Sequence, residues 1–283
     1  MVVKQEQTVE VEEMSKESLF VPIEKAQKRA GIKALFWGEF GTGKTYSALS
    51  FPAPVYVIST EFGVASLAHH FPGKDIRIVE CTTPFTEKPV KAGGDIDEQP
   101  FAIDPVVSLQ KIEEATEQLK DVTEGTIVVD SVSDVWAFLG NWLDYIAKKN
   151  VSKQSGKEFM MRTEWQKANA KYRWIMMRLL SRPCHVVLTA RSGPVYDVQG
   201  NITAQTKAKA QQETAYYCDI VAHLEKKDVP NVDSTGKVTG RTMQRMATIE
   251  KCRFASVGNL AMNDLTYDKL KLALKPFLPE GVL

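Results

Sequence analysis

Apolar residues recur along this chain with two different periods. Near-continuous apolar runs rich in β-branched residues occupy 32–37, 55–60, 76–81, 126–130, 186–189, 220–224 and 246–250. Runs of that length predict strands, and those at 32–37 and 55–60 predict strands buried on both faces, as in a parallel sheet. Between them the period lengthens to that of a helix. Leu109, Ile112, Thr116 and Leu119 share one face, as do Val132, Val135, Trp136, Leu139, Trp142, Leu143 and Ile146, and further on Trp165, Ala168, Tyr172, Ile175 and Leu179. Such stripes predict amphipathic helices packed on the sheet. Asp104 before Pro105 reads as an N-cap with proline in the first turn, and Thr163 with Gln166 reads as a capping box. A short helix over 265–275, ended by Pro276 and Pro279, closes the chain. Strands alternating with helices predict an α/β class: a mostly parallel central sheet sandwiched by helices, with antiparallel strands near the C-terminus.

The remaining segments read as connections. Residues 82–104 hold Pro84, Pro89, Gly93, Gly94 and Pro100 and predict a long loop. Residues 225–240 predict a polar hairpin connection with Ser234, Thr235 and Gly236 at its tip. Residues 1–18 are polar and glutamate-rich, which predicts a flexible acidic tail ahead of one domain over 19–283. The apolar island at 18–23 is expected to cover the core, with docking on a neighbouring subunit as the alternative. At 283 residues and 43% hydrophobic content the chain can bury a full core.

Charge and cysteine content narrow the class. The formal net charge is +1, so nucleic-acid binding would have to come from local patches. Cys81, Cys184, Cys218 and Cys252 are widely spaced with no C-x-x-C pair. That pattern argues against a zinc site or disulfide framework and suits a reducing compartment, so a cytoplasmic location is expected. No apolar run approaches the ~18 residues of a membrane span, and the polar start is no signal peptide. His69 and His70 stand without a carboxylate or cysteine pattern and read as surface or core filler rather than ligands.

The chemistry-bearing stretch is Gly38-Glu39-Phe40-Gly41-Thr42-Gly43-Lys44-Thr45, which fits G-x-x-x-x-G-K-[ST] at every fixed position. A strand before it and a helix beginning near Tyr46 after it are the context that makes a phosphate-binding P-loop. Glycines let successive N–H groups point inward at an anion. Lys44 would reach the β- and γ-phosphates of ATP, and the Thr45 hydroxyl would bind Mg²⁺. Asp130 ends a β-favouring run and would hold the magnesium water shell from a strand beside the P-loop strand. Ser131 rather than glutamate follows it, so a catalytic base must come from elsewhere. Glu61, at the end of the second strand, is the candidate, with Asp134 in reserve.

The run V-I-S-T-E-F-G ending the second strand and I-V-V-D-S-V at the fourth resemble the corresponding strands of the RecA/RadA recombinases. The overall plan, with H-V-V-L-T-A-R later, is closer to the small RecA-like ATPases of bacteriophages associated with single-strand annealing and recombination. The resemblance covers about 30–275. It implies a RecA-like ATP hydrolase in which Glu61 activates the attacking water. It also implies nucleotide sites at subunit boundaries of a ring or filament, single-stranded DNA as ligand, and a single-strand-binding protein as a further candidate partner. One departure is Arg191, where RecA proteins carry glutamine; it reads either as an altered γ-phosphate sensor or as the partner of a surface carboxylate. Loops at about 150–163 and 192–211 resemble the DNA-facing loops of that family, with Lys153, Lys157, Arg162, Lys207 and Lys209 as candidate backbone contacts. The alternative there is a solvated loop and charged helix face. Lys251 and Arg253 match a cation pair that hexameric relatives insert into a neighbour's site; a strand-end salt bridge is the other reading. A helicase or packaging motor subunit, and a regulator that uses ATP as a switch without DNA, remain as alternative functions.

Overall fold

The computed structural model describes residues 20, 22, 31–85, 103–151, 162–256 and 260–277, with side chains at 145–151, 162–164 and 232 excepted. The predicted tail at 1–18, most of the loop before Asp104, Lys153 and Lys157, and the side chain of Arg162 therefore lie outside the described residues.

Nine strands form one sheet: β1 (Lys33–Gly38), β2 (Val55–Ser59), β3 (Ile76–Glu80), β4 (Thr126–Asp130), β5 (His185–Tyr196), β6 (Ile202–Ala208), β7 (Ile220–Val232), β8 (Val238–Cys252) and β9 (Leu260–Asn263). Their spatial order is β3-β2-β4-β5-β1-β7-β8-β9, with β6 paired to β5. The ladders from β3 to β7 are parallel, and β8 and β9 are antiparallel. This is the mixed α/β architecture of a P-loop nucleotide-binding fold.

The central apolar runs behave as buried strands should, whereas β3, at the sheet edge, leaves Ile78 and Val79 exposed. Every residue of β1 and β4 is buried. Alternate residues of β1 face opposite layers. Leu35 and Trp37 pack with three helices, α2 (Pro105–Gln118), α3 (Val132–Val151) and α4 (Arg162–Leu180). Ala34 and Phe36 pack with α1 (Lys44–Leu49) and α6 (Tyr267–Leu274). The remaining short helix, α5 (Thr214–Tyr217), precedes β7. Asp104 caps α2 as its sequence predicts, accepting bonds from the amides of Val106 and Val107 at 2.9 and 3.1 Å.

Several expectations are corrected. Asp130 does not lie on the strand beside β1, because β5 runs between β4 and β1. The stretch after Arg191 is not a loop. β5 continues to Tyr196, and Ser192 pairs with Ala208 in an antiparallel ribbon. Asp197 builds the turn by accepting bonds from the amides of Gln199 and Asn201, and Gly200 supplies the left-handed φ of 87°. Residues 225–240 form the expected hairpin with its tip at Ser234 to Gly236, but its arms are paired strand rather than connection, turned at Asp233 to Lys237 with Gly236 at φ 81°. Both ribbons are exposed and of mixed polarity, with Tyr196, Ile202, Val238 and Met243 standing among polar residues, so neither leaves an apolar run that marks it as strand. β9 has no counterpart among the expected elements. Helix α4 already includes Arg162, so Thr163 is not its N-cap. The C-terminal helix stops at Leu274, ahead of Pro276 as expected, and Pro276 itself lies within a 3-10 turn (Lys275–Phe277). In the island expected to cover the core, Phe20 is exposed.

Candidate nucleotide site

The glycine loop follows β1, and its backbone geometry depends on missing side chains. Gly41 and Gly43 take φ of 68° and 94°, a region costly for residues with a Cβ. At Gly38 a Cβ would lie 1.9 Å from the carbonyl oxygen of Leu224. Lys44 Nζ donates to the carbonyls of Gly38 and Glu39 at 3.0 and 2.7 Å, so the ammonium lies along the loop's own curve. Burial pulls the Lys44 pKa down, while Glu61, Asp130 and Glu39 pull it back up. Phe40 projects outward, and Tyr46 packs against the rings of His70 and Phe71 at 5.8 and 5.1 Å. His69 and His70 are exposed at the end of a 3-10 helix (Ala65–His70).

Although a strand separates them in the sheet, the two halves of the site meet. Thr45 Oγ1 donates to Asp130 Oδ2 at 2.8 Å. Thr189, on the intervening β5, donates to the other carboxylate oxygen. Asp130 is 2% exposed, and burial pushes its pKa up against the opposing effect of those hydroxyls. A buried carboxylate whose side-chain partners are neutral hydroxyls is suited to a hard cation, and a carboxylate plus a hydroxyl is the donor set that magnesium shares with phosphate and water. The residues present therefore fit Mg²⁺. Among the described residues no group of three or more His, Cys, Asp or Glu could hold a metal by itself.

Arg191 lies between two carboxylates. Its Nε donates to Glu61 at 3.0 Å and its Nη2 to Asp134 at 2.7 Å. Both candidate bases thus share one guanidinium, and the carboxylate partners expected for Arg191 are those of the site. Burial raises the Asp134 pKa, with Arg191 the largest opposing influence. Thr60 Oγ1 donates to Asp134 at 3.1 Å and accepts from the Ser131 amide at 2.8 Å. Ser133 Oγ accepts from the Arg191 amide at 2.8 Å and donates to the Lys209 carbonyl at 2.6 Å, which ties the start of the β5–β6 ribbon to helix α3. Thr60, Ser133 and Thr189 escape sequence reasoning, because a hydroxyl next to a charged strand end carries no signal of its own.

Lys251 and Arg253 do not approach this loop. Lys251 stands opposite Val221, whereas Gly38 aligns with Leu224, so the pair lies about 10 Å down the sheet at ~3.3 Å per residue. Lys251 Nζ donates to the carbonyls of Ala215, Tyr216 and Cys218. Arg253 pairs with Asp219 at 3.2 Å. Within their own chain both cap the end of α5. Lys207 and Lys209 are exposed on and just after β6. On α4, Lys171, Arg173 and Arg178 are bound by Glu113, Glu213 and Glu117, which neutralises part of the basic segment. A separate groove of about 600 Å³ lies between β2, β3 and α2, lined by Tyr56, Ile78, Val79, Lys111 and Gln118; it gathers none of the loop chemistry. No helix among the described residues is long and apolar enough to cross a membrane.

Comparison with known families gives a match over most of the chain: a family model described as an AAA domain covers residues 30–254. No curated protein matches the chain.

Proposed function

The chain belongs to the AAA-domain family, and from that premise we propose a RecA-like, magnesium-dependent ATP hydrolase that couples nucleotide occupancy to its hold on single-stranded DNA. The observation that carries the reading is the 2.8 Å bond between Thr45 and Asp130, which puts the glycine loop and the metal-type carboxylate in one site. Loop amides and Lys44 would bind the β- and γ-phosphates, and Thr45 and Asp130 would hold Mg²⁺, which would supply neutralisation of the negative charge on the phosphates. Glu61 orients and deprotonates the attacking water. Arg191 holds Glu61 and Asp134 in place and offers its guanidinium to the γ-phosphate.

DNA contact falls to the exposed Lys207 and Lys209 of the β5–β6 ribbon, joined to the site through Arg191 and Ser133. Lys153, Lys157 and Arg162 are further candidates for that surface. Lys251 and Arg253 lie too far from their own loop, so any part they play in hydrolysis is at a neighbouring subunit's site in a ring or filament. A role in recombination, repair or annealing, in a phage setting, completes this reading.

A second reading has its own support. Three cations of α4 are held by carboxylates, which reduces the charge available to a phosphodiester backbone and favours a regulator that uses ATP as a switch without DNA.

Steady-state ATP turnover tests the proposal. Lys44→Ala is expected to abolish turnover, and Glu61→Gln to reduce it by about 100-fold or more with nucleotide binding retained. Full turnover in Lys44→Ala would refute the assignment. Retardation of a labelled oligonucleotide that weakens steeply with salt supports the DNA branch, whereas no retardation at low salt, with or without an ATP analogue, supports the regulator.

A further inference from the structure

The β7–β8 hairpin brings two cations to the glycine loop that the roles above leave unused. Leu224 aligns with Gly38, so β7 extends past the end of β1 and alongside the loop. Two residues further on, Lys226 stands directly opposite Arg245 across the β7–β8 ladder. A Cβ built on Gly41 would lie 2.7 Å from Lys226 Nζ, and one on Gly43 would lie 3.3 Å from Arg245 Cδ. The missing side chains at 41 and 43 are what admit both cations.

Like charges directly opposite on paired strands are destabilising, and an anion within reach of both removes that cost. The neighbouring carboxylates are engaged elsewhere: Glu225 with Lys227 at 2.9 Å, and Asp228 with Arg241. Among the described residues neither Lys226 nor Arg245 has a carboxylate at ion-pair distance. Lys226 instead lies 4.9 Å from the centroid of the exposed Phe40 ring, a contact weaker than a charge-assisted hydrogen bond.

We propose that Lys226 and Arg245 are phosphate-binding residues acting in cis, contacting the terminal phosphates of a nucleoside triphosphate held by residues 38–45. They approach from the β7 side of β1, across from Asp130 on the β4 side. This inference rests on the nucleotide reading of the loop. It supplies the site with positive charge from its own chain, where Lys251 and Arg253 could do so only from a neighbour.

The test is competition binding of ATPγS and AMP to the full chain, in wild type, Lys226→Met, Arg245→Met, Lys226→Arg and Lys44→Ala. Each methionine variant is expected to weaken ATPγS at least about tenfold, the lower end for a charged hydrogen bond, and AMP less than twofold. Lys226→Arg should retain most of the ATPγS affinity. The ratio of the two affinities within one variant is unaffected by any loss of folded protein. An unchanged ratio in both methionine variants, while wild type binds and Lys44→Ala does not, overturns the inference and leaves the loop assignment standing. Failure of wild type to bind either nucleotide removes both. Loss of oligonucleotide binding with ATPγS affinity intact would assign the two cations to a nucleic-acid backbone and likewise overturn it.

Discussion

Arg191 shows how one side chain can set the chemistry of two others. Its guanidinium is shared by Glu61 and Asp134, and only Asp134 is also held by Thr60. Removing that guanidinium withdraws the largest influence that favours the ionised form of Asp134, so the carboxyl pKa must rise. Arg191→Ala is therefore expected to lower ATP turnover by about tenfold or more, and to move the acid limb of the pH–rate profile to higher pH only where Asp134, rather than the proposed base Glu61, sets that limb. Comparing Asp134→Asn with Glu61→Gln assigns the base, since only the true base variant should lose turnover while keeping nucleotide affinity. At this scale the glycine loop and Asp130 were legible because their signals are local: glycines at fixed spacing, and a carboxylate ending an apolar run. The Glu61–Arg191–Asp134 arrangement was not, because it joins residues 130 and 57 positions apart. Nor was the hairpin pair Lys226 and Arg245, of which the first fell in the polar connection at 225–240 and the second between that connection and the strand expected at 246–250.

Among the elements, α4 shows how a buried polar group fixes a helix against its neighbour. Tyr172 is fully buried, and its hydroxyl lies 2.7 Å from Thr214 Oγ1. Thr214 donates onward to the Gln211 carbonyl, so the tyrosine is the donor in that pair. Thr214→Val should strand the tyrosine hydroxyl and cost about 1–3 kcal/mol, read by urea unfolding. Tyr172→Phe leaves the threonine bonded to Gln211 and should cost less than Thr214→Val. Equal costs would show that packing rather than the hydroxyl pair decides. The buried stripe at Ala168, Tyr172, Ile175 and Leu179 was readable from its 3.6 period, but Trp165, expected on the same buried face, is exposed near the start of the helix. The β5–β6 ribbon was not, and of β7–β8 only the hairpin and its tip were, because exposed strands of mixed polarity leave no apolar run. Asx-type turns at Asp197 and Asp233, each with a glycine three residues on, were the signal available for them.

For the molecule as a whole, His185 makes stability depend on pH. It packs against Phe51 and Tyr267, and its Nδ1 accepts the Ile32 amide at 3.1 Å, which requires that nitrogen unprotonated. Burial lowers its pKa from 6.5 to about 4. The unfolded chain therefore takes up this proton first. The contribution is complete above about pH 6.5 and is lost as pH falls through about 4, with an upper bound near 3 kcal/mol. Thermal melts across that window should show the decline, and His185→Gln should flatten it. The raised pKa values of Asp130 and Asp134 act with the opposite sign, which is why the comparison with the variant is needed. The α/β class was legible from the alternation of apolar periods. The strand order was not, because nothing local in the sequence announces that β5 inserts between β1 and β4.

That insertion gives β5 two duties along one unbroken strand. Thr189 steadies the carboxylate at the heart of the site, Arg191 grips the two acidic residues beside it, and from Ser192 the same strand leaves the sheet as a ribbon. An extended strand transmits a pull along its length with little give, so force applied at the ribbon tip would be felt first at the guanidinium. Clamping the ribbon by a cysteine crosslink between positions 193 and 209, where a Cβ on Gly193 would lie 3.2 Å from Lys209 Cβ, should accordingly alter turnover at a site it never touches.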